Sequence, residues 1–363
     1  MKNTFGNSIS VTLFGESHGS HIGAVLDGMA PGIEINESYI NAQLQKRKAQ
    51  GNISTKRREA DDFEIVSGVF NGRTTGSPIC ILIENNDTKS CDYERSRYLP
   101  RAGHADYTAN VKYHGYQDFR GGGHFSGRLT AALVAAGAIA QYALEQKGIY
   151  IGTHIASCAG VKDREFGDIK ADIATLNVKQ YAVLDDSASA EMVKLTELAA
   201  KAGDSVGGVL ESVILGMPAG VGEPWFDTFE SILSHALFSI PAVKGVEFGD
   251  GFAFASKKGS EVLDEYCIKD GEVFTSANHN GGINGGITNG MPIIFRSVVK
   301  PTPSIYFKQN TVNLETKENT TLSLEGRHDP AIIHRARVVV DSMTAIVLCD
   351  LLAQRFGTDY LKG

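Results

Sequence analysis

Basic residues, histidines and glycines are concentrated in one stretch of the chain, from Arg101 to Arg128. The stretch contains a triple glycine at residues 121–123, three histidines and four basic side chains. Glycines let backbone N–H groups approach an anion closely, and the helix predicted directly after the stretch would add the positive end of its dipole. The pattern favours an anion-binding active site, although a solvated basic loop with a glycine hinge would have the same composition.

Histidines near these residues are candidates for proton exchange, because histidine titrates near neutral pH without large perturbation. His18 lies in the turn GESHG at residues 15–19, which suits contact with a ligand better than packing in a core. His104 lies within the basic stretch, and His328 could act at a site or lie beside a helix cap. Ser17 and His18 are neighbours on extended chain and point to opposite faces, which argues against a serine hydrolase dyad.

A second group of glycines and asparagines occupies residues 278–286 and is followed by the segment KPTPS at residues 300–304. Exposed backbone amides followed by a lysine suit a ligand that carries phosphate or carbonyl groups, but a mobile loop has the same composition. The chain has no G-x-x-x-x-G-K-[ST] motif, and no G-x-G-x-x-G motif in a strand-turn-helix unit. P-loop and dinucleotide-binding folds are therefore disfavoured.

The composition is that of a globular protein, with 42% hydrophobic and 21% charged residues in 363. The formal charge of −7 argues against a nucleic-acid partner, so any cationic region must be local. Five scattered cysteines without a CxxC pair argue against a disulfide framework and a zinc site, and we expect no metal. The N-terminus lacks an apolar signal segment and the apolar run 131–140 is too short to span a bilayer, which predicts a cytoplasmic protein without a membrane segment.

Sequence patterns predict which strands and helices position these residues. Strands are expected at 8–14, 22–26, 63–70, 79–84, 150–159 and 206–215, and Asn71-Gly72 indicates a hairpin. Helices are expected at 37–48 behind the N-cap Asn36, at 129–146, at 190–202 and at 332–356. The helix at 129–146 is apolar on nearly every side and is therefore expected to be buried.

A weak internal repeat adds to this picture. Residues 21–32 resemble residues 205–220, and residues 74–84 resemble residues 287–297, in the placement of glycine, proline and strand. Each half also closes with a long helix. We therefore expect an α+β fold, formed by residues 1–363 as a single integrated domain of two pseudo-repeated sheet-and-helix halves at about 8–147 and 205–356. Glycine-rich strand ends also resemble one another by chance.

Taken together, the motifs resemble the chorismate synthase family. GESHG, RAGHADYT at 101–108, RGGG at 120–123, NHNGGINGG, KPTPS and GRHDP at 326–330 occur in the order and at the spacing of that family, across almost the whole chain. The resemblance implies a lyase of the shikimate pathway that converts 5-enolpyruvylshikimate 3-phosphate to chorismate and phosphate by an anti 1,4-elimination. It also implies reduced FMN as cofactor without net redox change, a β-α-β sandwich and a homotetramer, and it leaves open whether NAD(P)H reduces the FMN on this protein.

The resemblance also implies roles for individual residues. His18 resembles the general acid that protonates the departing phosphate, with Ser17 beside that phosphate. His104 resembles the histidine that donates a proton to the flavin, and Asp329 resembles the carboxylate that helps the flavin N5 to accept the substrate proton. The implied substrate-binding residues are Arg47, Arg101, Arg128 and Arg327. The implied FMN-binding residues are His124, Phe125, Ser126, Pro241, Ala242, Gly285, Lys300, Pro301, Thr302, Pro303, Ser304 and Arg327.

The chain departs from the family pattern in three places. Residues 124–130 read HFSGRLT where the family usually reads RSSARET, and Ala102 replaces a proline. The basic segment after Lys48 is about one residue shorter than in some members, which makes Arg57 a candidate for the second substrate arginine. Two other classes compete with the lyase: a flavin-dependent oxidoreductase, which needs a hydride-donor site, and a phosphoanion- or RNA-binding module, which the net charge disfavours.

Overall fold

The first sheet is formed by the N-terminal part of the chain. A computed structural model describes residues 2–49, 51–54, 59–86, 97–324 and 329–362. This part contains the strands β1 (Thr4–Gly6), β2 (Ser10–Gly15), β3 (His21–Asp27), β4 (Phe63–Ser67), β5 (Val69–Phe70), β6 (Arg73–Thr74) and β7 (Ile79–Glu84). Five of them form an antiparallel sheet in the order β1-β2-β3-β7-β4.

β5 and β6 form the tip of a hairpin, as the Asn71-Gly72 pair predicts. The φ angles of Asn71 and Gly72 are 49° and 71°, and a two-residue turn of type I′ requires positive φ at both positions. The prediction of a hairpin is confirmed. The predicted strand at 63–70 is interrupted at Gly68, where a Cβ atom would lie 2.6 Å from the carbonyl oxygen of Pro78.

The second sheet is formed by later segments of the chain. The strands of this part are β8 (Tyr150–Cys158), β9 (Val161–Lys162), β10 (Gly208–Leu215), β11 (Val243–Phe248), β12 (Tyr266–Lys269), β13 (Glu272–Thr275), β14 (Ile283–Asn284), β15 (Ile287–Thr288), β16 (Ile293–Val299), β17 (Gln309–Asn313) and β18 (Glu318–Leu322). The sheet has the order β11-β16-β10-β8-β9 and is antiparallel throughout. The pairs β12–β13, β14–β15 and β17–β18 are separate hairpins.

Two long helices pack between the two sheets. The helices of the described residues are α1 (Glu37–Arg47), α2 (Asp106–Lys112), α3 (Thr130–Glu145), α4 (Ile169–Val178), α5 (Asp186–Lys201), α6 (Phe229–Ser239) and α7 (Ile333–Phe356). α3 packs on β3 and β7, α7 packs on β8 and β10, and α3 and α7 pack on each other. The result is a β-α-β sandwich whose core is lined by alanine, valine, leucine and isoleucine.

α3 and α7 approach each other closely because α3 carries a glycine at the crossing. A Cβ atom on Gly137 would lie only 2.3 Å from the Cβ atom of Ser342 on α7. Any larger residue would therefore push the two helices apart. α3 is part of the segment Gly127–Glu145, which is long and apolar enough to cross a membrane, but 83% of its apolar window is buried inside the protein. The helix is a core helix, as its all-round apolar sequence predicts.

The last helix also fixes the strand that leads to His18. The carboxylate of Asp350 on α7 accepts hydrogen bonds from the backbone N–H groups of Asn7, Ser8 and Ile9, at 3.0, 2.7 and 2.9 Å. These residues immediately precede β2 and include its first buried neighbour, Ile9. A buried carboxylate that accepts several backbone N–H groups is well satisfied. The N-terminal strand is therefore held in register against a helix more than 300 residues later.

The predicted helices are confirmed with two differences. α1, α3 and α7 lie within about one residue of their predicted bounds, and Asn36 caps α1 by accepting from the backbone N–H of Tyr39. α5 begins at Asp186 and not at 190, because Asp185 caps it by accepting from the N–H of Ala188 at 2.7 Å. α2, α4 and α6 were not predicted; α2 is only two turns long, and the apolar pattern of α4 is short and buries few side chains.

The two segment pairs that suggested a repeat lie on neighbouring strands in each sheet. Residues 21–32 contain β3, which pairs with β7, and residues 205–220 contain β10, which pairs with β16. This arrangement supports the proposal of two pseudo-repeated halves, which stays a prediction. The second sheet also includes β8 and β9, which precede residue 205.

Candidate active site

A cleft of 1980 Å³ brings most of the predicted site residues together. Small-molecule sites usually measure about 300–1,000 Å³, so the cleft has room for two ligands side by side. Its walls come from both sheets, from the basic stretch and from the first turn of α7. The predicted site residues that line it are His18, Arg47, Arg101, His104, His124, Phe125, Ser126, Arg128, Pro241, Ala242, Lys300, Thr302, Pro303, Ser304 and Asp329.

The triple glycine runs between the two proposed acid–base histidines. The φ angles of Gly121, Gly122 and Gly123 are 60°, 86° and 53°, in the left-handed region that glycine adopts at little cost. A Cβ atom on Gly121 would lie 2.2 Å from Cε1 of His18, and one on Gly122 would lie 3.3 Å from Cε1 of His104. The glycines are therefore required both by backbone conformation and by the space that the imidazole rings occupy.

Ser17 and His18 are held against this glycine run. The backbone N–H of Ser17 donates to the carbonyl oxygen of Gly123 at 3.1 Å. Ser17 is fully buried and lies outside the residues that line the cleft, whereas His18 is 9% exposed and lines it. The structure thus brings His18 into the cleft, with Ser17 behind it.

His104 forms a cluster with Arg101 and Asp106. Nδ1 of His104 lies 2.6 Å from Oδ1 of Asp106. Nε and Nη2 of Arg101 donate to the two oxygens of the same carboxylate, each at 2.8 Å. Burial acts to raise the pKa of Asp106, but the hydrogen bonds from Arg101 and His104 outweigh it and hold that pKa well below its usual range. Asp106 is therefore a carboxylate, and Nδ1 of His104 donates to it.

Arg47 and Arg128 share a second carboxylate, that of Asp61. Nη1 of Arg47 donates to Oδ2 of Asp61 at 3.0 Å, and Nη1 of Arg128 donates to Oδ1. Burial acts to raise the pKa of Asp61, but the two arginines outweigh it and lower that pKa. A second carboxylate, that of Glu59, lies 4.0 Å from Nη2 of Arg128 and also lines the cleft, so the two guanidinium groups lie beside two carboxylates.

Both guanidinium groups are also tied to uncharged partners. Nε of Arg47 donates to Oγ1 of Thr130 at 2.9 Å. Nε of Arg128 donates to Oδ1 of Asn85 at 2.8 Å, and its Nη2 donates to the carbonyl oxygen of Glu84 at 3.0 Å. The two side chains are almost completely buried. They are rigidly held charges rather than flexible surface cations.

Asp329 lies just before α7 and pairs with Arg335, a residue that the sequence did not single out. Nη1 of Arg335 lies 2.9 Å from Oδ2 of Asp329, and its Nε donates to the carbonyl oxygen of Arg47 at 2.8 Å. Arg335 lines the cleft. Its position six residues after Asp329, in the first turn of a helix, is a weak sequence signal that could have identified it. It connects the carboxylate to the Asp61 cluster.

The segment 124–126, where the chain departs from the family pattern, forms one wall. Nδ1 of His124 lies 2.8 Å from the carbonyl oxygen of Gly15. Phe125 is 37% exposed, and its ring meets that of Tyr113 edge-on at a centroid distance of 5.9 Å. The hydroxyl of Ser126 accepts from the N–H of Arg128 at 3.3 Å. His124 and Ser126 thus orient the backbone, while the Phe125 ring is available to a ligand.

Another wall consists of segments 241–242 and 300–304. Nζ of Lys300 donates to the carbonyl oxygen of Gly103 at 2.7 Å. The backbone N–H of Lys300 donates to the carbonyl oxygen of Ala242 at 3.0 Å. Ala242 has a φ angle of 74°, which is rare for a residue with a Cβ atom. A Cβ atom on Gly103 would lie 3.3 Å from that of Pro303. This wall therefore packs directly against the loop that carries His104.

Some predicted residues are not brought into the cleft. Gly285 lies in the turn between β14 and β15 and is not among the lining residues, and Pro301 packs against Gly207 outside the lining. Arg57, Arg327 and His328 lie outside the described residues. Within the part of the chain that the structure describes, there is no group of three or more His, Cys, Asp or Glu side chains that could hold a metal ion.

Comparison with known proteins agrees with this geometry. A family model described as chorismate synthase matches residues 9–353. The chorismate synthase of Thermococcus kodakarensis is 45% identical over 353 residues, which cover 96% of this chain and 97% of that relative. That of Thermococcus gammatolerans is 48% identical over 350 residues, with coverage of 96% and 97%. A crystal structure of a chorismate synthase has a TM-score of 0.76 and 29% identity, and it covers 97% of this chain and 94% of its own.

These similarities extend over nearly the whole chain and not only over the motifs. They confirm the expected α+β fold. They also confirm that the protein is an enzyme of the lyase type. The similarity in sequence and in fold together show that the chain belongs to the chorismate synthase family.

Proposed function

We propose that this protein converts 5-enolpyruvylshikimate 3-phosphate to chorismate and phosphate by an anti 1,4-elimination, with reduced FMN bound beside the substrate. The observation that carries the proposal is a single cleft, large enough for two ligands, that holds both acid–base histidines and the buried arginines Arg47 and Arg128. The substrate carries a phosphate and two carboxylates. A site for it needs fixed positive charge, although the protein as a whole is acidic.

The cleft fits a flavin mononucleotide. Oγ1 of Thr302 and Oε1 of Gln117 are buried atoms without a hydrogen-bond partner among the described residues, and both residues line the cleft. Buried polar atoms normally have partners, so these two are suited to a polar ligand. Segments 124–126, 241–242 and 300–304 would hold the FMN, with Gly285 and Arg327 as further predicted contacts. Reduced FMN, when bound, supplies electron density as the allylic phosphate leaves and recovers it as the C6 proton is lost.

His18 acts as the general acid in this proposal. Its ring packs against Gly121 and lines the cleft, so the orientation of the ring is set before the substrate binds. A proton delivered to the bridging oxygen of the departing phosphate lowers the charge that develops on it. The C3–O bond breaks, the C6–H bond breaks, and one phosphate and one proton leave for each chorismate formed.

Arg47, Arg101 and Arg128 stabilise the anionic substrate. Because the buried guanidinium groups of Arg47 and Arg128 are already held by Asp61, they attract the substrate anions without having to reorganise. Asp329 provides a carboxylate on the side of the cleft where α7 begins. Arg335 holds that carboxylate at 2.9 Å and so fixes its direction.

An anaerobic assay tests the proposal. The pure protein is incubated with photoreduced FMN and 5-enolpyruvylshikimate 3-phosphate, and chorismate and phosphate are measured. Equal amounts of the two products, with the flavin still reduced, are expected. Absence of product contradicts the lyase, stoichiometric oxidation of the flavin supports an oxidoreductase, and salt-sensitive RNA binding without turnover supports a binding module.

A His18 variant separates the acid from the rest of the site. His18→Ala is expected to bind FMN like the wild type, measured by flavin fluorescence, and to lose about 10²-fold or more in turnover, because a positioned general acid contributes about 10²–10⁴-fold. Full turnover by a variant that binds FMN normally would remove this assignment.

We further propose that the protein is a cytoplasmic homotetramer. Trp225, Phe226 and Phe252 are 85%, 90% and 84% exposed in the single chain, and large exposed aromatic side chains are typical of contact surfaces. Light scattering during size-exclusion chromatography measures the mass directly. A monomeric mass at micromolar concentration would contradict the assembly.

A further inference from the structure

We propose that Asp106 is a positioning residue for His104, which holds the imidazole with a proton on Nδ1 and leaves Nε2 to exchange protons at the cleft. The inference deepens the proposed function, on which its catalytic part rests. Asp106 has no role among the residues implied by the family motifs. Its place in the cluster follows from the structure alone.

The carboxylate of Asp106 is fixed from several directions. Besides the two bonds from the Arg101 side chain, the backbone N–H of Arg101 donates to Oδ2 at 3.0 Å. Three donors from one residue leave the carboxylate little freedom to rotate. Its Oδ1 is therefore held at 2.6 Å from Nδ1 of His104. A hydrogen bond of this length between an imidazole and a carboxylate fixes the ring orientation as well as the proton.

The direction of this hydrogen bond decides which ring nitrogen can react. A carboxylate only accepts, so Nδ1 carries hydrogen whether His104 is neutral or charged. Nη2 of Arg101 lies 3.1 Å from the same nitrogen and cannot donate to it while the proton is there. Nε2 has no hydrogen-bond partner among the described residues, and the ring edge that carries it faces Gly122. Proton exchange at the cleft therefore takes place at Nε2.

Arg101 has a second consequence for the histidine. It binds the same carboxylate through Nε and Nη2 and so places a positive charge beside the imidazole. The charge of Asp106 is thus shared between a permanent cation and a titratable one. The carboxylate orients His104 without forming an isolated ion pair with it, so the ring can give up its Nε2 proton and regain it.

The tautomer of neutral His104 tests the proposal without ligands or turnover. The protein is labelled with ¹⁵N-histidine, the His104 signals are assigned by their loss in His104→Gln, and spectra are recorded at a pH where His104 is neutral. The wild type is expected to show hydrogen on Nδ1. Asp106→Asn is expected to show hydrogen on Nε2, because Arg101 orients the amide oxygen toward itself and leaves the NH₂ group facing Nδ1. An Nε2–H wild type, or the same tautomer in both proteins, would overturn the assignment.

Turnover provides a second readout. Asp106→Asn is expected to lower kcat by about 10²-fold with little change in KM, because a misplaced proton removes acid–base catalysis and not binding. Asp106→Glu, which keeps the acceptor, is expected to recover part of the loss. Equal losses in both variants, with native thermal unfolding, would contradict a positioning role.

The matched control is Asp172→Asn. Asp172 also binds an arginine through both oxygens, with Arg164 at 3.0 and 2.6 Å, but it lies outside the residues that line the cleft. It is expected to leave kcat and the His104 tautomer unchanged. An inactive wild type would contradict the proposed lyase while the tautomer measurement still decides the role of Asp106, so the two failures are distinguishable.

Discussion

In the cleft, His104 uses one ring nitrogen to bind a carboxylate, whereas on the second sheet His154 uses both. Nδ1 of His154 lies 2.7 Å from Asp163, and Nε2 lies 3.0 Å from Glu211. His154 is also almost fully buried, while His104 is partly exposed at the cleft. The difference separates a histidine that is available for chemistry from one that is part of the framework.

The cluster around His154 follows from strand register. Glu211 on β10 lies opposite His154 on β8 and opposite Arg296 on β16, and Arg296 in turn lies opposite Glu247 on β11. Charges of alternating sign thus cross four strands on one face of the sheet. Cross-strand pairs of opposite charge stabilise the register of a sheet. The cluster accounts for its histidine without any ligand.

The direction of the pKa shift of His154 agrees with a structural role for this histidine. Burial acts to lower the pKa of His154, but hydrogen bonds and charge from Asp163 and Glu211 outweigh it and raise that pKa. His154 is therefore a cation over a wider pH range than usual. Its positive charge stabilises the carboxylates of Asp163 and Glu211, just as the charge of Arg128 stabilises the carboxylate of Asp61.

Loss of each histidine should have opposite effects on turnover and on structure. His104→Ala is expected to lower turnover by about 10³-fold, in the range of about 10²–10⁴-fold for a positioned acid–base group, without loss of folding. His154→Gln is expected to keep turnover near the wild-type value and to lower thermal stability. Initial rates of phosphate release under anaerobic conditions, with thermal unfolding of the same samples, make the measurement. A folded His154→Gln protein that loses as much turnover as His104→Ala would break the distinction.

The carboxylate of Asp61, beside the cleft, should also stabilise the folded protein. Asp61→Asn is expected to lower the free energy of unfolding by about 3 kcal/mol, because it removes the carboxylate that both buried guanidinium groups bind. Urea denaturation measures the change. The control Glu191→Gln removes an exposed partner of Lys194 and should have almost no effect.

The pH dependence of that effect has a defined sign. The pKa of Asp61 is lowered in the folded protein, so its stabilisation is present above the ordinary value of 3.8 and is lost as the pH falls below it. The difference between wild type and Asp61→Asn should therefore shrink in acid. A difference that is constant from pH 7 to pH 3 would contradict the assignment.

The smallest expected effect is a pH dependence that belongs to His154 alone. Because folding raises its pKa above the ordinary 6.5, its stabilisation is complete below pH 6.5 and is lost as the pH rises through the folded value. The melting temperature of the wild type should fall more steeply than that of His154→Gln above pH 6.5, by about 2 °C. Differential scanning fluorimetry from pH 6 to pH 9 measures it. Parallel profiles would mean that His154 is not charged in the folded protein.

Local patterns were sufficient to predict four of the described helices, several strands of each sheet and the main site motifs. The apolar sequence of α3 and the Asn71-Gly72 turn depend on neighbouring residues only, so the sequence contains their cause. The glycine run at 121–123 was recognised as a close approach of backbone, although the groups that approach it are the rings of His18 and His104.

The partners of the site residues could not be predicted in the same way. Asp61 and Arg335 look like ordinary surface charges in the sequence. Their roles arise from contacts with Arg47, which is 14 residues from Asp61 and 288 residues from Arg335. His154 could not be distinguished from a catalytic histidine, because its partners depend on strand register. Gly285 matches a motif but lies outside the cleft of the single chain. Tertiary contacts of this kind have no local signal.

The crossing of α3 and α7 at Gly137 has a consequence for the cleft, although it lies in the core. One wall, with His18, extends from the sheet on which α3 packs, and the other, with Lys300, extends from the sheet on which α7 packs. The spacing of the two helices therefore sets the width available to the ligands. The absence of a side chain at Gly137, in the core, therefore helps to determine the width of the active site.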